Sequence, residues 1–424
     1  MIIPSIDIMG GQVVQLVGGK EETLKKDTQY GNPLPLAERF RLAGEIAVID
    51  LDSALGKGSN KDLIKSLLRV ADCRVGGGIR SLEVAMEWLD AGAKRIIIGT
   101  AAKPELLKQL PRERLIAALD AYDGDVVVEG WTKKTGASIV DRVRELKDYV
   151  GGFLVTFVEK EGRMGGTNMD RVAEIVEAAG SARVTIAGGV TTLEELAQLD
   201  KLNADAQVGM AIYTGRMDFG DAVAAPLTSD RPDGLIPTVV CDENGVALGL
   251  AYSSKESIRE AVNKRAGIYQ SRKRGLWVKG GSSGATQELL RVTPDCDRDA
   301  VRFIVRQNPP GYCHLPQWTC FGETGGLTEL MRTMEERRKN APAGSYTRRL
   351  LNDAELLKAK LTEEAGELAS ATAKDDVAWE AADVIYFTAV AMARAGVTLA
   401  DVERHLDLRA RKLTRRKGDA KPQA

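Results

Sequence analysis

Over residues 1–228, short apolar runs alternate with amphipathic stretches of helical period. The runs read as strands at Ile2–Ile6, Ile46–Leu51, Cys73–Val75, Arg95–Ile98, Leu115–Leu119, Gly152–Phe157, Val184–Ile186 and Ala206–Val208. Strands that alternate with helices imply βαβ units and a parallel sheet, and eight such units in this length predict a (β/α)₈ TIM barrel. Thr228-Ser-Asp-Arg-Pro-Asp-Gly234 is polar and turn-rich, and reads as a linker. Beyond it the pattern turns β-rich, with runs at Thr238–Cys241, Ala247–Ala251 and Gly275–Val278. From Leu327 onward the strand pattern ceases, and helical periodicity covers Glu355–Ala371, Val377–Ala395 and Leu399–Lys412. Gly396 closes the second of these helices, and Thr398 or Asp401 opens the third. The expectation is a multi-domain chain: a TIM barrel over 1–228, a small β-rich α+β domain over 229–325, and an all-α helical domain over 326–424.

An internal repeat supports the barrel. Val75-Gly-Gly-Gly-Ile-Arg-Ser-Leu-Glu83 resembles Ile186-Ala-Gly-Gly-Val-Thr-Thr-Leu-Glu194. Asp7 precedes Gly78 by 71 positions and Asp120 precedes Gly189 by 69. Gly99 follows Gly78 by 21 positions and Gly209 follows Gly189 by 20. Four landmarks in register suggest two half-barrels of one design, too long a period for a solenoid.

Composition narrows the function. At 424 residues the chain exceeds one ordinary core. A net charge of −1 provides no global field for nucleic acid or membrane, and no apolar run reaches a bilayer-spanning length. The first residues lack the basic-then-apolar order of a signal peptide, so a cytoplasmic location is expected. Five cysteines argue against a disulfide framework, and three of them, Cys296, Cys313 and Cys320, cluster as metal ligands do. With only two histidines, His314 and His405, acid–base and metal chemistry must lean on Cys, Asp and Glu.

Three constellations carry candidate chemistry. In the barrel, Gly77 and Gly78, with Gly99, and Gly188 and Gly189, with Gly209, would let backbone N–H groups approach a phosphate in each half. Tight turns that simply need positive φ are the plainer alternative. Asp7 and Asp120 end strands on the face where barrel active sites lie, and could serve as base and acid. In the middle, Asp295, Asp297 and Asp299 would share one face of a strand or extended turn and suit Mg²⁺. Cys296 would face away from them, toward Cys313 and Cys320. Three thiolates suit Zn²⁺ and leave a fourth position for water, whose pKa zinc lowers to about 7. In the C-terminal helices, Glu363, Glu364 and Glu367 fall on one helix face, and Glu380 and Asp383 project from the next helix. Together they form a Mg²⁺ site able to hold a triphosphate. A solvated acidic face is the alternative there.

Ile3-Pro-Ser-Ile-Asp7, Gly76-Gly-Gly-Ile-Arg80, Ala118-Leu-Asp120, Gly130-Trp131 and Ala187-Gly-Gly189 resemble the phosphoribosylformimino-aminoimidazole-carboxamide ribotide isomerases of histidine biosynthesis. That resemblance implies a cofactor-free Amadori rearrangement, with Asp7 as general base, Asp120 as general acid and Trp131 stacked on the substrate imidazole. Tyr269-Gln-Ser-Arg-Lys-Arg274, Leu276-Trp-Val-Lys-Gly280, Asp295-Cys-Asp-Arg-Asp299, Gly311-Tyr-Cys-His314 and Thr319-Cys-Phe321 resemble phosphoribosyl-AMP cyclohydrolase. This implies addition of water between N1 and C6 of an adenine ring, with zinc shared across a dimer. His314 would be proton shuttle, and Arg272, Arg274 and Lys279 would face the phosphates. Two positions depart from that family's usual pattern, Gly281 and Ala285. Glu363-Glu-x-x-Glu367 with Glu380-x-x-Asp383 resembles phosphoribosyl-ATP pyrophosphohydrolase. Arg348, Arg349 and Lys360 would then neutralise phosphate charge. The partners implied are phosphoribosyl nucleotides and further copies of this chain, as a homodimer or higher homo-oligomer. The competing expectation is a bifunctional hydrolase whose barrel is only a scaffold.

Overall fold

The computed structural model describes residues 1–16, 29–122, 124–128, 133–158, 166–273, 275–322 and 324–414. They fall into two compact units. The first comprises Met1–Val240, Leu250–Asn308 and the segment from Arg409, and the second Cys241–Gly249 and Pro309–Leu408.

The first unit contains the barrel. Its strands are β1 (Ile2–Met9), β2 (Ile46–Asp50), β3 (Cys73–Gly76), β4 (Arg95–Ile98), β5 (Leu115–Tyr122), β6 (Gly152–Phe157), β7 (Arg183–Ala187) and β8 (Ala204–Val208). Every neighbouring pair is parallel, and β8 returns to β1. Closure removes the edges that an open sheet would expose. Ile6, Ile8, Val48, Val75, Ile96, Val155 and Ile186 are wholly buried, as expected of strands covered on both faces. The covering helices earn their place by spacing: Ile139, Val143 and Leu146 stand at i, i+4 and i+7 of helix Ile139–Leu146, and all three are buried. Ser138 caps that helix by accepting a hydrogen bond from the Asp141 N–H.

The two glycine turns predicted from the repeat occupy equivalent places, after β3 and after β7. Gly77 and Gly78 have φ of 97° and 70°, Gly188 and Gly189 of 80° and 87°. Ser81 and Thr192, three residues past each second glycine, cap the helices that follow, Leu82–Ala91 and Leu193–Lys201.

The barrel's floor is polar and buried. Arg74 of β3 reaches Glu45 at 2.6 Å and Thr185 of β7 at 2.9 Å, and approaches Asp205 of β8 at 3.4 Å. Arg183 forms two hydrogen bonds to the same Asp205. Burial would raise both acids, but the surrounding cations outweigh it. Arg74, Arg95 and Lys94 bring Glu45 down to about 2, and Arg183, the N-terminal amine and Arg74 hold Asp205 far below the usual carboxylate range.

After the barrel, Ile236–Asp242, Ala247–Ser253, Gln287–Pro294 and Val301–Gln307 form a four-stranded sheet, with Ala247–Ser253 and Gln287–Pro294 at its edges. Helix Lys255–Lys264 and the hairpin Ile268–Ser271/Gly275–Val278 accompany it, so the α+β expectation holds. The sequence pattern had not marked Gln287–Pro294 and Val301–Gln307. They pair antiparallel, and Asp295–Asp299 forms the turn between them.

The second unit is chiefly helical. Helices Gly326–Asn340, Tyr346–Asn352, Ala354–Ser370 and Lys374–Ala395 pack around Met334, Leu350, Leu357, Phe387, Val390 and Ala393. Gly396 closes the last of them in the left-handed region at φ 70°. Thr398 and Asp401 both open Leu399–Ala410, because each side chain accepts from the other's backbone N–H. Among the described residues no single helix is long and apolar enough to cross a membrane.

Candidate functional site

An open pocket lies at the C-terminal mouth of the barrel, lined by Ser5, Asp7, Gln15, the turn Gly188–Thr191 and Gln207–Ala211. Asp7 stands near the end of β1. Burial pushes its carboxyl up to about 6, against a hydrogen bond donated by Ser5 Oγ at 2.7 Å that draws it down. A carboxylate poised there can exchange a proton near neutral pH. Tyr213 donates to the Ser5 carbonyl at 2.9 Å, fixing the strand beneath the acid, and burial followed by the nearby Asp7 raises its phenol well above the usual range. Asp120, half-buried, sits level with Thr156 of β6 near the end of β5.

Glycine is needed in both halves, for reasons that differ. A Cβ at Gly77 would lie 2.1 Å from the Asp50 carbonyl oxygen, and one at Gly78 2.1 Å from Ser53 Oγ. These two therefore owe their identity to packing against the β2 loop as much as to any ligand. Gly188, Gly189 and Gly209 line the pocket directly. At Gly209 a Cβ would press on Gln15 Oε1 at 2.8 Å. Glu195 accepts from the backbone N–H groups of Thr167, Thr191 and Thr192, so those helix-start amides already serve an internal anion. Gly99 has open space around its α-carbon. Ser5 was missed from sequence, although its i, i+2 relation to Asp7 on a strand put both on one face. Trp131 and Arg274 lie outside the described residues.

In the middle region, carboxylate oxygens of Asp295, Asp297 and Asp299 approach one another within 4.8 Å. A tight turn, with Arg298 at φ 70°, gathers them, where a strand or an extended turn was expected. Desolvation, then Asp295 and Asp297, raise Asp299 above the usual carboxylate range. Oxygen donors crowded in this way suit Mg²⁺. Cys296 is exposed in the same turn of the first unit. Cys313 and Cys320 belong to the second unit, neither of them in a disulfide. There the Leu315 N–H donates to Cys313 Sγ at 3.5 Å, and His314 Nδ1 lies 3.8 Å from the same sulfur. Thiols outside any disulfide fit zinc. Lys279 is buried with its ammonium 5.9 Å from the Trp277 ring centre, and Arg272 lies 4.9 Å from that of Tyr252.

In the helical unit, Glu364 and Glu367 of one helix and Glu380 of the next bring carboxylate oxygens within 4.8 Å. Burial, then Glu367, Glu364 and Asp383, raise Glu380, the mark of like charges held together. Lys360 reaches Glu364 at 2.6 Å and Glu363 at 3.0 Å, so Glu363 serves as a partner of the lysine beside the cluster. Arg348 and Arg349 are exposed on Tyr346–Asn352, and His405 is exposed on the last helix.

Fold and site define a (β/α)₈ barrel with an acid at its mouth, continued by an acidic β-turn and a carboxylate-bearing helical bundle. The chain belongs to the histidine biosynthesis protein family, whose model matches residues 1–218. Residues 249–322 match phosphoribosyl-AMP cyclohydrolase, and residues 327–410 match phosphoribosyl-ATP pyrophosphohydrolase. A histidine biosynthesis trifunctional protein of Komagataella pastoris is 48% identical over 241 residues, covering 56% of this chain and 28% of that protein. One from Neurospora crassa is 38% identical over 352 residues, 81% of this chain and 38% of that protein. The 1-(5-phosphoribosyl)-5-((5-phosphoribosylamino)methylideneamino) imidazole-4-carboxamide isomerase of Methanocaldococcus jannaschii is 34% identical over 234 residues, 53% of this chain and 98% of that protein. The chain spans between about a quarter and a half of the length of the bifunctional and trifunctional relatives it matches.

Proposed function

We propose that this chain catalyses three consecutive steps of histidine biosynthesis. It would hydrolyse phosphoribosyl-ATP to phosphoribosyl-AMP and pyrophosphate, open the adenine ring of phosphoribosyl-AMP, and isomerise the resulting aminoaldose to an aminoketose. The observation that carries this reading is the succession of three family matches along one chain, with a cluster of chemically apt side chains in each.

In the helical unit, Glu364, Glu367 and Glu380 hold Mg²⁺, and Glu363 and Asp383 add to the negative field around it. Arg348, Arg349 and Lys360 meet the phosphate charge that accumulates as pyrophosphate leaves. In the middle region, Cys296, Cys313 and Cys320 hold zinc, with a shared site between copies of the chain in a homo-oligomer, and Asp295, Asp297 and Asp299 hold Mg²⁺. When bound, zinc supplies a water of lowered pKa for addition to the purine ring. His314 moves the proton, while Arg272, Arg274 and Lys279 bind phosphate. In the barrel, Asp7 removes a proton from the aminoaldose carbon skeleton, and Asp120 protonates the opening ribose oxygen. The glycine turns orient the two phosphates, and Trp131 stacks on the imidazole. The enzyme is cytoplasmic in this reading.

One observation favours a scaffold barrel as the second reading: packing against Asp50 and Ser53 is sufficient to require glycine at 77 and 78, with or without a phosphate. Supplying phosphoribosyl-ATP with Zn²⁺ and Mg²⁺ to the full chain, and identifying products by mass and by ultraviolet spectrum, decides between them. The aminoketose is expected, and Asp7→Asn should stop at the aminoaldose. Accumulation of the aminoaldose by the unaltered chain would leave the hydrolases and refute the isomerase. Absence of pyrophosphate release would refute the first step.

A further inference from the structure

The acidic turn Asp295–Asp299 is fastened to the floor of the barrel. Arg298, inside the turn, donates from Nε to Asp200 Oδ2 at 2.9 Å and from Nη2 to Asp200 Oδ1 at 3.1 Å. Asp200 belongs to helix Leu193–Lys201, which follows the second glycine turn of the barrel. A third N–H of the same guanidinium donates to the Asp295 carbonyl at 2.8 Å. The Arg298 carbonyl accepts from the Thr228 N–H at 2.9 Å. Both partners of the ion pair are largely buried, with 18% and 10% of their side chains exposed. A two-pronged arginine–carboxylate pair in such surroundings fixes orientation as well as distance.

The pair also answers a conformational need. Arg298 sits at φ 70°, a left-handed backbone that side chains other than Gly, Asn and Asp seldom adopt. Three carboxylates held within 4.8 Å repel one another and favour an opened turn. Something must hold the turn closed, and the described contacts of Arg298 run to Asp200, to Thr228 and to the turn's own backbone. Within the turn, the Ala300 N–H donates to Asp295 Oδ1 at 3.1 Å and the Asp295 N–H to the Ala300 carbonyl at 3.0 Å. Two further hydrogen bonds join helix Lys255–Lys264 to the end of the barrel segment in the same unit. Asn263 reaches Asp218 at 2.9 Å, and Lys255 reaches the Ala225 carbonyl at 3.0 Å.

We propose that Asp200 of the barrel, through Arg298, is a positioning residue for the divalent-cation site formed by Asp295, Asp297 and Asp299. The inference rests on the reading of that turn as a Mg²⁺ site. It gives the barrel a part in the ring-opening step that is independent of its own catalysis.

The test uses the full chain carrying Glu364→Gln and Glu367→Gln, so that the helical cluster does not compete, with Mn²⁺ as the probe followed by electron paramagnetic resonance. Asp200→Asn and Arg298→Lys should each weaken Mn²⁺ binding about tenfold, at temperatures where both variants remain folded by circular dichroism. The double variant should lose no more than either single one, because both act through one pair. Hydrogen exchange at the Ala300 N–H should accelerate in the same variants. A merely structural role would lower the melting temperature and leave Mn²⁺ affinity of the folded chain unchanged, and affinities within twofold of the parent would overturn the proposal. Should Asp297→Asn leave Mn²⁺ binding intact in the parent, the turn is no cation site, and the underlying reading falls together with the proposal.

Discussion

Asp7 shows how a single side chain acquires a function from its setting. On an exposed strand end its pKa would be ordinary, whereas at the mouth of the barrel burial pushes it up to about 6. As a general base it must be ionised, so kcat/KM for the aminoaldose should rise with pH through about 6 and level above it. A pH–rate profile of the barrel reaction checks this. Ser5→Ala removes the hydrogen bond that favours the ionised form, and should move that limb to higher pH with little loss at pH 8. An unchanged limb would show that another group sets the profile. At Gly77 the demand is steric. Gly77→Ala should cost about 2 kcal/mol or more in unfolding free energy, because a methyl would meet the Asp50 carbonyl and φ is 97°. Denaturant titration measures it.

The element scale is where frustration becomes visible. Helices Ala354–Ser370 and Lys374–Ala395 present Glu364, Glu367 and Glu380 to one another, and Lys360 answers only part of their charge. A bundle built for packing alone would gain by replacing one of them. Glu380→Gln should therefore raise the melting temperature of the chain in chelator, since burial and like charge already raise that carboxyl. The unaltered chain should gain stability from millimolar Mg²⁺, and Glu380→Gln should gain distinctly less. Equal stabilisation of both by Mg²⁺, read by differential scanning fluorimetry, would count against this cluster as the binding site. The identity of these helices was legible in sequence. The shared face of Glu363, Glu364 and Glu367 was legible too, but that Glu364 and Glu367 meet Glu380 while Lys360 holds Glu363 and Glu364 was not. Its distance from Glu363 and Glu364 depends on side-chain placement that helical periodicity does not fix.

At the scale of the whole molecule, the barrel's floor governs acid stability. Glu45 has a folded pKa of about 2 and an unfolded value near 4.5. Its contribution is complete above the unfolded value and is lost as pH falls from about 4.5 toward 2. The loss is on the order of 3 kcal/mol from this group. Glu45→Gln should flatten the dependence of unfolding free energy on pH in that window. Asp205→Asn should destabilise the barrel by about 3 kcal/mol at neutral pH, because Arg74 and Arg183 would be left without their shared carboxylate. Equilibrium unfolding between pH 2 and 7 tests both.

Sequence alone determined the eight barrel strands, the two glycine turns, and the acidic runs that gather in the turn Asp295–Asp299 and on the paired helices. Each of these is written in local periodicity or in residues close along the chain. Apolar runs set strand positions, and Gly-Gly before Ser or Thr sets a strand–turn–helix corner. Asp-Cys-Asp-x-Asp needs only five residues. Strands Gln287–Pro294 and Val301–Gln307 escaped because charged residues interrupt their apolar pattern, at Glu288 and Arg291 and at Arg302 and Arg306. Only the tertiary structure decided that Ser5 and Tyr213 support Asp7, that Arg74 and Asp205 share a buried floor, and that Arg298 fastens the acidic turn to Asp200. Those partners stand between 98 and 208 positions apart, apart from Ser5 and its neighbour Asp7. The free energy of a buried charge pair depends on distance and desolvation, which exist only once the chain has closed on itself.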